Sequence, residues 1–105
     1  MNYSKKMQKN NETSYSIILP SQGRGSKEIT LLLRERKPQL LKAINKLKVH
    51  PTDFSKQGIE KLQNSKLGDY SIRVTKNHRL FYDVDLKNKR VNILRVGKHD
   101  LYKLV

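Results

Sequence analysis

Apolar positions along this chain follow two different rhythms. Ser14 to Leu19 (Ser-Tyr-Ser-Ile-Ile-Leu) reads as a first strand. Pro20, which has no amide hydrogen to donate, ends it. Ser21 to Gly25 reads as a loop, and Ser26 as the N-cap of a helix over Lys27–Arg36. In that segment Ile29, Leu32 and Leu33 recur on one helical stripe. Pro38 suits the first turn of a helix and not an interior, so it opens a second helix, Pro38–Val49, with Leu40, Leu41, Ile44 and Leu47 as its stripe. Pro51 closes it. Both stripes are read as core.

From Gly58 onward the period changes to two. Tyr70, Ile72 and Val74 alternate with Ser71, Arg73 and Thr75; Leu80, Tyr82 and Val84 with Arg79, Phe81 and Asp83; Val91, Ile93 and Arg95 with Asn92, Leu94 and Val96. One strand, a helical hairpin and an antiparallel meander of three to four strands define an α+β fold. A three-residue turn at Lys76-Asn77-His78 would pair Thr75 with Arg79, Val74 with Leu80, Ile72 with Tyr82 and Tyr70 with Val84, keeping the apolar residues on one face. A tight turn at Lys87-Asn88 would pair Asp85 with Arg90, Val84 with Val91 and Tyr82 with Ile93, and would set Arg79 opposite Val96. Arg73 and Arg79 then become diagonal neighbours roughly 7–8 Å apart, and His99 leaves the last strand beside Arg79.

Composition narrows the partners. The 105 residues hold 23 Lys and Arg against 9 Asp and Glu, a net charge of +14. Residues 1–53 carry 11 basic and 4 acidic side chains and residues 54–105 carry 12 and 5, so the excess is spread over the fold and not confined to a tail. Such a surface attracts polyanions through counterion release. The absence of cysteine excludes a disulfide framework and a thiolate metal site. Residues 1–13 are polar, lack a secretory apolar run, and read as a flexible arm before a single domain at 14–105. Apolar runs such as Leu31-Leu32-Leu33 are too short for a membrane span, which leaves a cytoplasmic protein without a membrane partner.

Cleaving RNA without a metal needs a base for the ribose 2′-OH, positive charge at the phosphorane-like transition state, and an acid for the departing 5′ oxygen. Glu60 suits the base. Arg73 and Arg79 are always-charged phosphate donors. His99 can carry a proton near neutral pH, and Tyr102 can stack on a base. Taken singly, each has a structural alternative: a solvated carboxylate, strand arginines facing water, a structural imidazole, a tyrosine packed on the sheet. Their convergence on one face is what points to chemistry.

The stretch from Glu60 to Tyr82, with its Glu-x-Leu, Gly68, and Tyr70-Ser71-Ile72-Arg73-Val74-Thr75-Lys76-Asn77-His78-Arg79-Leu80-Phe81-Tyr82, resembles the signature of the RelE/ParE toxin superfamily, nearest its YoeB/Txe and RelE branches. Arg95-Val96-Gly97-Lys98-His99-Asp100-Leu101-Tyr102 is similar to that family's last strand and tail. The resemblance implies a toxin of a type II toxin–antitoxin pair. It implies a metal-independent endoribonuclease, an mRNA interferase without cofactor, that cuts messenger RNA in the ribosomal A site and stops translation. By position, Glu60 becomes the general base, Arg73 and Arg79 the phosphate-stabilising pair, His99 the general acid and Tyr102 the C-terminal aromatic. Lys61, Lys66, Lys76 and Lys98 become RNA contacts. Here Asp100 follows His99, whereas the YoeB-like branch places its tyrosine there. The partners implied are mRNA and ribosomal RNA in the A site, and an acidic cognate antitoxin. A ParE-like toxin, which inhibits DNA gyrase by protein binding, is the alternative. On this reading Arg79→Ala removes toxicity and leaves the fold intact.

Overall fold

The computed structural model describes residues 14–54, 58–63 and 65–97. Strand β1 (Ser16–Ile18) precedes helices α1 (Gly23–Glu35) and α2 (Lys37–Val49). Strands β2 (Ile59–Lys61), β3 (Tyr70–Arg73), β4 (Arg79–Asp85) and β5 (Arg90–Gly97) follow. The strands form one five-stranded sheet in the order β1-β5-β4-β3-β2. β2 to β5 are an antiparallel meander, and β1 lies parallel to β5 with Ile17 opposite Val91. The expected α+β order is therefore present. Among the described residues no helix is long and apolar enough to cross a membrane.

Helix α1 starts four residues before the expected Lys27. Its N-cap is Gln22, and Ser26 lies inside the helix, where its carbonyl accepts the Thr30 hydroxyl at 2.9 Å. Gly25, which reads as a loop signal, is instead buried where α1 presses on β5: a Cβ there would overlap the Leu94 carbonyl oxygen. That contact sets the buried face through Gly25, Ile29 and Leu32 and turns Leu33 outward, because a helix advances about 100° per residue at 3.6 residues per turn. In α2 the buried residues are Leu40, Ala43 and Leu47, with Ile44 half-buried and Leu41 exposed. Arg36 breaks the two helices at φ −139°, ψ 45°, and Pro38 sits in the first turn of α2 as expected.

The β3–β4 register differs from expectation by two residues. Tyr70 pairs with Tyr82, Ile72 with Leu80, and Arg73 directly with Arg79. Val74 and Thr75 belong to the turn: both amides donate to the His78 carbonyl, and the Thr75 hydroxyl oxygen accepts the amides of Asn77 and His78. A slip of two keeps every side chain on its expected face, so the apolar sorting survives. Across β4–β5, Asp85–Arg90, Val84–Val91 and Tyr82–Ile93 pair as expected. A bulge between Phe81 and Tyr82 then leaves Leu94 as the extra residue, so that Val96, not Arg95 as the alternation predicts, joins Val91 and Ile93 on the core face, and Arg79 faces Gly97 instead of Val96.

The core lies between the helices and one sheet face. Ile59, Ile72, Leu80, Tyr82, Val91, Ile93 and Val96 pack with Ile29, Leu32, Leu40, Ala43 and Leu47. Each large apolar side chain so buried contributes about 1.5–3 kcal/mol. The Tyr82 hydroxyl donates to the Pro51 carbonyl at 2.6 Å, and its ring stacks on Tyr70, which stacks on Phe54 (centroids 5.6 and 6.0 Å). This aromatic ladder fastens the segment after α2 to the sheet and so locates Gly58, a few residues on.

Helix α1 is also clamped electrostatically. Glu28 Oε1 accepts Arg95 Nε at 2.8 Å and the Val96 amide at 3.0 Å, and Oε2 accepts Arg95 Nη2 at 2.9 Å. Burial alone would raise the Glu28 pKa, but the Arg95 hydrogen bonds and the Val96 amide outweigh it and hold the carboxyl below its ordinary value. A depressed folded-state pKa stabilises the fold above the unfolded value, and that stability is lost as pH falls through the folded one. Glu28→Gln is therefore expected to flatten the loss of stability on acidification, while lowering stability at neutral pH by about 1–2 kcal/mol. Denaturant unfolding of both proteins across the acid range checks this; parallel curves would contradict it.

Candidate active site on the open face of the sheet

The face away from the helices gathers Glu60 from β2, Ser71 and Arg73 from β3, and Arg79 and Phe81 from β4. Cross-strand pairing aligns Glu60 with Ser71, Ser71 with Phe81, and Arg73 with Arg79. Phe81 is fully buried because the β2–β3 loop folds over it with Leu62 and Leu67. The loop is held by the Leu62 amide donating to Asp69 O (2.8 Å) and the Asp69 amide donating to Asp83 Oδ1 (2.7 Å). The resulting apolar floor borders the charged row and limits water on one side of it.

Arg79 is only 2% exposed. Its Nε donates to Ser71 Oγ at 2.9 Å, and its Nη2 donates to the Gly58 carbonyl at 2.7 Å. Nη2 also stands 3.6 Å from Glu60 Oε2. The guanidinium is thus a fixed charge beneath the surface, and Glu60, with its side chain 40% exposed, is the part of the pair that meets solvent. Arg73 is exposed where β3 ends. Two arginines directly opposite each other repel; drawing Arg79 toward Ser71, Gly58 and Glu60 relieves this and leaves Arg73 outermost.

Glu60, Arg73 and Arg79 are therefore brought together. Lys98, His99 and Tyr102, like the arm at 1–13, lie outside the described residues. Lys66 and Lys76 are exposed in the β2–β3 loop and the β3–β4 turn. Lys61 shares its row with Tyr70, which packs toward the helices, so it is exposed at the sheet edge away from Glu60. Two participants were not singled out from sequence. Ser71 is the serine of the Ser-x-Arg stretch and anchors Arg79. Gly58, at φ +71°, turns its carbonyl to Arg79 Nη2 and to the Arg73 amide (3.1 Å). A backbone acceptor leaves no trace in residue type, and only the positive φ favours glycine there. Among the described residues, no three His, Cys, Asp or Glu side chains cluster as a metal site.

A strand, two helices and then four strands that join the first in a five-stranded mixed sheet make the RelE-like α+β fold. The chain is similar to the toxin–antitoxin proteins that share it. Against the archaeal RelE–RelB complex from Pyrococcus horikoshii OT3 the identity is 22%, with 84% of this chain and 98% of that chain covered and a TM-score of 0.64. For the E. coli DinJ–YafQ toxin–antitoxin complex the values are 20%, 82%, 93% and 0.60. For the YoeB/ParE toxin from Agrobacterium tumefaciens they are 22%, 80%, 98% and 0.56. A scan against models of protein families and a search of curated proteins each found no match.

Proposed function

We propose that this chain is a RelE/ParE-superfamily toxin of a type II toxin–antitoxin pair. In this reading it is a metal-independent endoribonuclease that cuts messenger RNA in the ribosomal A site and inhibits translation in the cytoplasm. The observation that carries the reading is the half-exposed Glu60 carboxylate, 3.6 Å from a buried guanidinium, with exposed Arg73 at the end of the same row. Glu60 takes the proton from the 2′-OH. The 2′ oxygen attacks phosphorus, and the bond to the 5′ oxygen breaks, leaving a 2′,3′-cyclic phosphate. Arg73 contacts the non-bridging oxygens as their charge grows. Arg79 acts from behind, fixing Glu60 and adding its charge through a short low-dielectric path. His99 returns a proton to the leaving 5′ oxygen, and Tyr102 stacks on a base; both roles rest on the sequence resemblance.

Glu60→Gln and His99→Gln are each expected to cut the single-turnover cleavage rate on programmed ribosomes by about 10²-fold or more. Full rates in both variants would overturn the acid–base scheme. The burial of Arg79 favours one second reading, a ParE-like gyrase inhibitor, in which the Glu60–Arg79 pair is structural; gyrase inhibition unaffected by both substitutions would identify it. The acidic partner proposed for a chain of net charge +14 is an antitoxin covering the basic surface.

A further inference from the structure

A cavity of about 350 Å³ opens beside the candidate active site, between α2 and the end of β3. Gln39, Lys42 and Lys46 of α2 line one wall, and Arg73 and Gly58 line the other. Lys42 and Lys46 are four residues apart, on one side of the helix, where like charges repel. Among the described residues no carboxylate lines the cavity to balance the three cations. Gly58 belongs to both places: its backbone forms part of the cavity wall, and its carbonyl holds Arg79 at 2.7 Å. Arg73 likewise lines the cavity and pairs across the strands with Arg79. An anion in the cavity would therefore sit one residue from the groups assigned to the scissile phosphate.

The geometry points to a phosphate subsite in this cavity, with Lys42, Lys46 and Arg73 holding the backbone of single-stranded RNA that flanks the bond to be cut. This deepens the ribonuclease reading and rests on it. Arg73 spans the two phosphates, and the lysines fix the direction in which the strand crosses from the open face toward α2. Gln39, in the same wall, supplies a neutral amide for a ribose hydroxyl.

The probe is a short single-stranded RNA methylated at every 2′-OH, so that it binds without being cut. Its affinity is measured against salt concentration for wild type, for the double variant K42A/K46A, and for K27A/K48A, which removes the same charge from exposed positions outside the cavity. Each phosphate contact to a single strand contributes about 0.7 to the slope of log K on log salt. K42A/K46A is expected to lower that slope by about 1.4, with K27A/K48A close to wild type. Circular dichroism confirms that all three share a fold. Equal losses in both double variants, an unchanged slope in K42A/K46A, or no binding by wild type would each overturn the subsite. The catalytic reading fails separately: a wild type that binds through the cavity yet leaves unmodified mRNA intact keeps the subsite and loses the nuclease.

Discussion

Arg79→Met is expected to destabilise the fold by about 2–4 kcal/mol as well as to abolish activity. This reverses the expectation drawn from sequence, where Arg79 was a surface donor whose loss left the fold intact. The side chain is buried, and it satisfies Ser71 Oγ and the Gly58 carbonyl. Removing it leaves the buried Ser71 hydroxyl without its donor at about 1–3 kcal/mol, takes from the Gly58 carbonyl one of its two donors, the Arg73 amide remaining, and opens space beneath the sheet. Glu60, being half-exposed, can be rehydrated, so the cost falls below that of breaking a wholly buried pair. Arg79→Lys keeps the charge but not the fork of donors, and is expected to lie between. Guanidinium unfolding of the three proteins measures this. Equal stability in Arg79→Met and wild type would show that the buried network contributes nothing. The practical consequence is that lost toxicity in an Arg79 variant does not by itself identify a catalytic residue, whereas Glu60→Gln, a change of similar size at a half-exposed site, does.

Gly25→Ala is the second large effect. In an ordinary helix interior the change gains about 0.5–1 kcal/mol. Here the new Cβ would collide with the Leu94 carbonyl oxygen, and the Leu94 carbonyl carbon and Pro20 Cγ both lie 3.3 Å from its position. Backbone cannot yield as a flexible side chain would, so α1 must move off β5 and disturb the Glu28–Arg95 clamp with it. A net loss of about 2 kcal/mol or more is expected, which lowers the melting temperature by roughly 10 °C in a domain of this size. A melting temperature at or above that of wild type would show that α1 docks less closely than described.

What was legible in the sequence followed from periodicity. The alternation in Tyr70–Val74 and Leu80–Val84 assigned every residue to its correct face even though the pairing was off by two. The reason is that sidedness depends on parity, while register depends on turn chemistry. That chemistry is carried by Thr75, whose hydroxyl organises a five-residue turn from Val74 to His78 in place of the three-residue turn Lys76-Asn77-His78. The bulge at Leu94 and the burial of Gly25 are two halves of one helix–sheet contact, and neither half signals itself without the other. At the site, residue type located Glu60, Arg73 and Arg79 on a common face. Burial separated their roles, and burial came from neighbours: Gly58, set in place beyond the Phe54–Tyr70–Tyr82 ladder, and Ser71, paired with Glu60.

The parallel seating of β1 on β5 has a consequence for synthesis. Among the described residues the first strand made, Ser16–Ile18, pairs with the last, Arg90–Gly97. β1 therefore waits for its partner until β5 has cleared the exit tunnel, and joining segments so far apart in a chain is entropically slow. A nascent copy cannot close its sheet while the ribosome producing it still holds the final strand. The chain that is proposed to attack translation thus cannot complete its sheet until a ribosome has made and released its β5.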